Sequence, residues 1–170
     1  PNNGCSTVPI QFTSTSTGAG LSYSWNFDDP GPGNNSSQTN PTHDFNSNGT
    51  GTQSYDVRLI VTNSAGCKDT IIQTVTVAQS PGPALLDPIN SFKNCDGSNF
   101  NMTVYDVSTS PGTSYTIIWG DGSPNFTGTS FPGTGVNHLY TTSDIFDLYY
   151  VVVGTNGCAD TMHQLVSNIT

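Results

Sequence analysis

The sequence predicts an all-β protein made of two antiparallel β-sandwiches in tandem, and three observations carry that expectation. Its vocabulary is that of strands and turns: Thr, Ser, Asn, Gly, Val and Tyr stand where helices would place Glu, Lys, Arg and Ala. Its apolar residues recur with a period of two and form no helical stripe of useful length. Finally, the chain states its main features twice: "SYSWNFDDPG" over 22–31 returns as "SYTIIWGDGS" over 114–123.

Sliding the 170-residue chain by about 91 positions aligns five landmarks. Cys5 falls on Cys95, Tyr23 on Tyr115 and His43 on His138. "DVRLIVTNSAGCKDT" falls on "DLYYVVVGTNGCADT", which places Cys67 on Cys158. The offsets, 90, 92, 95, 91 and 91, vary only where loops lie between landmarks. Two copies of one domain are expected, over 1–80 and 85–170, with a short Pro/Gly linker at 81–84 inside "QSPGPA".

Each copy then reads as the same series of strands. "VPIQFTST" and "FNMTVYDVS" are the early strands, and "LSYSWNF" and "TSYTIIW" lead into an Asp-bearing turn. On the latter pair Tyr23, Trp25 and Phe27 share a face, as do Tyr115, Ile117 and Trp119, so these rings belong to the core. Next comes a long half-buried strand whose inward set is Tyr55, Val57, Leu59 and Val61, or Phe146, Leu148, Tyr150 and Val152. "SAGC" and "TNGC" turn the chain into a last strand, Asp69 to Val77 or Asp160 to Ile169. Several short strands with frequent turns are the pattern of a sandwich.

Composition narrows the function classes. The formal net charge is -9, all twelve acids are Asp, and Arg58, Lys68 and Lys93 are the only strong bases. Such a surface repels a phosphate backbone and an anionic lipid face, so no nucleic-acid partner is expected. No apolar run reaches the roughly 18–20 residues of a membrane span, so no direct membrane insertion is expected. The opening "PNNGC" has no Met, basic segment or apolar signal core, and reads as part of something longer.

Four cysteines permit three pairings. Cys5 to Cys67 spans 62 residues and Cys95 to Cys158 spans 63, and equal spans in equal copies favour one disulfide inside each domain. Such a bond would tie the first strand to the turn before the last one. Under load it would withhold roughly 200 Å of chain per domain. It also implies an oxidising compartment outside the cytoplasm.

No catalytic constellation is visible, and no cofactor is expected. Adjacent Asp28 and Asp29 would point apart and serve turns, as would Asp121. These three are the candidates for a weak calcium site with loop carbonyls, although no EF-hand spacing is present. His43 and His138 read as duplicated loop residues bonding backbone, and His163 as an exposed strand residue. No HExxH, His/Cys cluster or Gly-Xaa-Ser-Xaa-Gly elbow occurs. Sequons at Asn34, Asn48, Asn101 and Asn125 arise readily in so Asn- and Thr-rich a chain. Phe126 and Phe131, in "PNFTGTSFPG", are either an exposed platform for sugar or protein, or rings folded back on the sandwich edge.

At "YSWNFDDP", "NPTHDF" and "VRLIVTN", and again at "YTIIWGDG", "NHLY" and "LYYVVVGTNG", the chain resembles the PKD (polycystic kidney disease) domain family of immunoglobulin-like β-sandwiches. Asp28 and Pro30 replace the usual turn glycines of that family, and Trp119 replaces its Phe. With its "GC-x-DT" and upstream Cys the chain looks like the PKD repeats of long surface proteins and secreted enzymes in Bacteroidetes-type bacteria, gliding-motility adhesins among them. The resemblance implies a disulfide-stabilised extracellular stalk or spacer at the bacterial cell surface. Its partners would be neighbouring repeats and a surface polysaccharide or protein. The alternative is a carbohydrate- or protein-binding accessory module of a secreted hydrolase such as a chitinase or protease; an enzyme in its own right is a third reading that nothing in the sequence supports.

Overall fold

In the computed structural model, which describes residues 5–96 and 99–169, alternation of apolar and polar residues becomes strand throughout, and among those residues there is no helix. None is therefore long and apolar enough to cross a membrane. The architecture is an all-β, immunoglobulin-like sandwich of antiparallel sheets. Contacts divide the chain into two compact units, Pro1–Ser47 with Gly51–Gln79, and Asn48–Thr50 with Ser80–Thr170.

In the first unit, β1 (Val8–Gln11) pairs antiparallel with β4 (Thr42–Phe45). Facing them, β2 (Ser22–Asn26), β3 (Asn35–Ser36), β5 (Thr52–Thr62) and β6 (Lys68–Ala78) form a sheet in the order β3-β2-β5-β6. Tyr55, Val57 and Leu59 of β5 are buried and Val61 is partly so, with Asp56 and Arg58 on the outer face. Trp25, Phe27, Phe45 and Phe12 complete this core. The indole N–H of Trp25 donates to the Gln38 carbonyl at 2.9 Å, so even this ring buries no orphan donor.

The second unit repeats the plan with two additions. β7 (Leu85–Leu86) and β8 (Lys93–Asn94) precede β9 (Phe100–Asp106), β10 (Gly112–Ile118), β11 (Phe126–Gly128), β12 (Val136–Tyr140), β13 (Asp144–Gly154) and β14 (Ala159–Asn168). One sheet runs β11-β10-β13-β14-β8 and the other β12-β9-β7. Phe146, Leu148, Tyr150 and Val152 point inward as their alternation requires, against Met102, Val104, Ile117 and Trp119.

The registers fix the correspondence between copies. Ile10 lies opposite His43, and Met102 lies opposite His138. Tyr55 lies opposite Val75, and Phe146 lies opposite Val166. In each unit the entering chain also runs parallel to the far end of the last strand: Cys5 bridges Ala78, and Asn94 pairs with Asn168.

That last feature overturns the expected disulfides. Cys67 precedes β6, whereas Cys5 sits at its other end, eleven residues and therefore roughly 36 Å away. Cys158 precedes β14 and Cys95 follows the residue paired with its last position, which separates them by roughly 33 Å. A disulfide needs Cα atoms about 6 Å apart. Cys67 and Cys95 are instead exposed free thiols. Cys5 and Cys158 are disulfide-bonded, and with Cys67 and Cys95 free no disulfide closes a ring inside either repeat. The expected lock on 62 residues of slack is therefore absent from both units.

Candidate functional site

The turn that follows β2 and β10 builds the same constellation in both units. In the first, Asp29 is 8% exposed and accepts the Gly31 N–H on Oδ1 at 3.1 Å. Its Oδ2 meets Nε2 of His43, 7% exposed, at 3.1 Å. The imidazole stacks flat on Phe27, with ring centres 4.2 Å apart and planes 5° apart, and stands edge-on to Phe45 at 4.6 Å. In the second, Asp121 Oδ1 accepts the Ser123 N–H and hydroxyl at 3.0 and 2.6 Å. Its Oδ2 lies 2.9 Å from Nε2 of His138, which stacks on Trp119 at 4.2 Å and 5° and meets Tyr140 edge-on at 4.5 Å. The Tyr140 hydroxyl donates to the Trp119 carbonyl at 2.9 Å and holds the far side of the corner.

Electrostatics follow from this geometry. Burial alone would raise the Asp121 carboxyl, but hydrogen bonds from the Ser123 hydroxyl, the Ser123 amide and His138 outweigh it and hold the group below its ordinary value. An ionised carboxylate only accepts, so the proton between Asp121 and His138 sits on Nε2. The histidines are thus strand residues of β4 and β12 bonded to carboxylates, not loop residues bonded to backbone. Phe27 and Phe45 cover a face and an edge of the His43 ring, so the Asp–His pair works as a polar pin in the corner of the sandwich.

The remaining candidates separate. Asp28 has a left-handed backbone, φ 58°, and its Oδ2 accepts the Asp56 amide at 3.0 Å, which offsets the strain. Gly120 holds the equivalent place with φ 86°, and a Cβ there would lie 2.5 Å from the Asp147 carbonyl oxygen. The turn therefore keeps its geometry although Asp replaces Gly. Among the described residues no three His, Cys or Asp side chains gather where they could hold a metal ion. His163 is half-exposed on β14, 2.7 Å from Asp147 Oδ1 and stacked on Tyr149. Phe126 and Phe131 pack against the second core, Phe131 edge-on to Tyr115 and Tyr150 at 5.9 and 5.8 Å. Both rings are thus partly buried, with apolar residues of the sandwich against them.

One feature had no sequence reading. A groove of about 600 Å³ opens in the first unit beside Thr13, Ser14, Ile71 and Gln73, with Phe12 and Trp25 on its floor. Its sequence signal was Ile71 itself, an apolar residue on the inward face of the last strand.

These are the features by which the chain can be compared with known proteins. Residues 2–78 match the model of the PKD domain family. That match takes in less than half of the chain and covers the turn, His43 and β5. No curated protein matches the sequence. Fibronectin(III)-like modules of Clostridium thermocellum CbhA are 7% identical over 97% of this chain and 87% of theirs, with a TM-score of 0.35. A Bacteroides ovatus protein of a mixed-linkage glucan utilisation locus, SGBP-B, solved with a mixed-linkage heptasaccharide, is 14% identical over 99% of this chain and 42% of its own, TM-score 0.37. The amphioxus IgVJ-C2 molecule is 12% identical over 96% and 99%, TM-score 0.33. Scores this low carry no argument about function.

Proposed function

We propose that the chain is a non-enzymatic extracellular repeat module, a spacer segment of a large bacterial cell-surface adhesin of the gliding-motility kind. The observation that carries the reading is the corner built twice. In each copy the Asp–His pair of the corner is buried or partly buried and spends its polar atoms on its own turn. A residue set duplicated in this way serves the architecture of a repeat. The oxidised state of Cys5 and Cys158 supports a place outside the cytoplasm, and the acidic, Lys-poor surface suits an exposed one.

The accessory-module alternative wants exposed rings for a sugar to stack on, and the two offered for that purpose, Phe126 and Phe131, lie against the core. Antiserum raised against this chain, applied to intact producing cells, tests the reading. We expect surface label that protease shaving removes. Label confined to the periplasm, or to a free hydrolase in the medium, would refute it. A glycan array probed with the chain should stay blank.

A further inference from the structure

A strand that buries every second residue leaves the others on its outer face, and the two units use that face differently. In the second unit, Tyr149 of β13 lies between Ile118 of β10 and His163 of β14, and Asp147 lies opposite Leu165. Ile118, Tyr149 and Leu165 are 39%, 40% and 52% exposed, and Ile145 beyond them is 54% exposed. His163 stacks on Tyr149 and meets Asp147, whose side chain is 60% exposed. The result is an apolar, aromatic stripe in water with one carboxylate inside it. Lys93 stands at the far edge of the sheet, two strands from Asp147.

By register, Asn26, Arg58 and Ile72 of the first unit hold the places of Ile118, Tyr149 and His163. Around them the outer face is polar: Thr74 donates to Asp56 at 2.7 Å, and Ser54 meets Thr76 at 3.3 Å. A polar outer face therefore serves the sandwich as well, and the stripe of the second unit is not a demand of the fold. Arg58 and Lys68, two of the three strong bases, both lie on this first face by alternation along β5 and β6. Among the described residues the ion pairs are those of the histidines, and no carboxylate pairs with Arg58. Ile72, opposite Arg58, is 61% exposed.

We propose that the outer face of β10, β13 and β14 docks another copy of this chain through the outer face of that copy's β2, β5 and β6. The Arg58 guanidinium of the arriving copy sits beside Asp147 and against the Tyr149 ring, and its Ile72 covers the stripe between Ile118 and Leu165. A planar, weakly hydrated guanidinium suits a site that joins a carboxylate to an aromatic face. The net charge of -9 repels copies at a distance. Salt screens that repulsion beyond about 8 Å and weakens a pair in contact much less. Because two different faces meet, each copy keeps one of each kind open, and association runs on in series. The inference goes beyond the spacer reading and does not depend on where the module is displayed.

The test concentrates the isotope-labelled full chain to about 1 mM at about 0.15 M salt. We expect the amide signals of Arg58 and Ile72 on one face, and of Tyr149 and Leu165 on the other, to shift together with concentration. Arg58→Glu and Leu165→Asp, both at exposed positions that leave the fold intact, should each weaken association by about tenfold or more. An equimolar mixture of the two variants should recover it as one-to-one pairs in sedimentation, since each variant keeps the face that the other has lost. Signals that stay still, shifts on one face alone, undiminished association of either variant, or a mixture that fails to pair would each overturn the proposal.

Discussion

The first unit closes its corner with Phe27, His43 and Phe45, and the second with Trp119, His138 and Tyr140, yet the two stacks agree at 4.2 Å and 5°. What differs is the turn after the ring, where Asp28 holds the left-handed place in the first unit and Gly120 holds it in the second. The conserved geometry rests on local chemistry: a turn carboxylate, a histidine facing it from the neighbouring sheet and a flat ring beneath. A sandwich therefore tolerates exchange of its rings, because a ring swap keeps the buried volume filled.

The comparison can be broken most forcefully at the edge-on ring. Phe45→Ala and Tyr140→Ala remove fully buried side chains from equivalent places and should each cost about 3–5 kcal/mol. Denaturant unfolding reads the two units separately, since Trp25 lies in one core and Trp119 in the other. A loss under about 1 kcal/mol in either would show that the corner is not the keystone of its unit.

The turn offers a sharper contrast. Gly120→Ala places a Cβ 2.5 Å from a carbonyl at φ 86°, so the second unit should lose about 2 kcal/mol or more. Asp28→Gly removes strain and one hydrogen bond together, and should change the first unit by less than about 1 kcal/mol. Equal costs in the two units would contradict the account given of Asp28.

Acid should act on the corner of the second unit. Asp121 is held below its ordinary 3.8, so it binds a proton less readily folded than unfolded. Its contribution is complete above that value and declines as pH falls through the lower folded one. Acid titration followed by Trp119 fluorescence should show this limb, and Asp121→Asn should flatten it. An unchanged limb in the variant would assign the acid response elsewhere.

The smallest effect belongs to the thiols. Cys67→Ser and Cys95→Ser should shift stability by no more than about 0.5 kcal/mol, because both groups are free and exposed. Alkylation of the native chain followed by mass mapping should label these two and spare Cys5 and Cys158 until reduction. Label on all four would contradict the oxidised state of Cys5 and Cys158, and protection of Cys67 or Cys95 would restore the intradomain scheme.

Much of this was legible in the residues. Period-two alternation placed β5 and β13 and their inward faces, because a strand's pleat leaves no other way to bury Tyr55, Val57 and Leu59 together. The landmarks revealed the repeat, and Asp29 with His43, echoed by Asp121 with His138, marked where the corner lies. Their bond was not legible, since β2 and β4 belong to facing sheets and no local pattern states that separation. Nor were the cysteine partners: equal spans arise from repetition itself and hold for any consistent pairing. Only the folded chain, by setting Cys5 and Cys67 at opposite ends of an eleven-residue strand, decided against the nearest scheme.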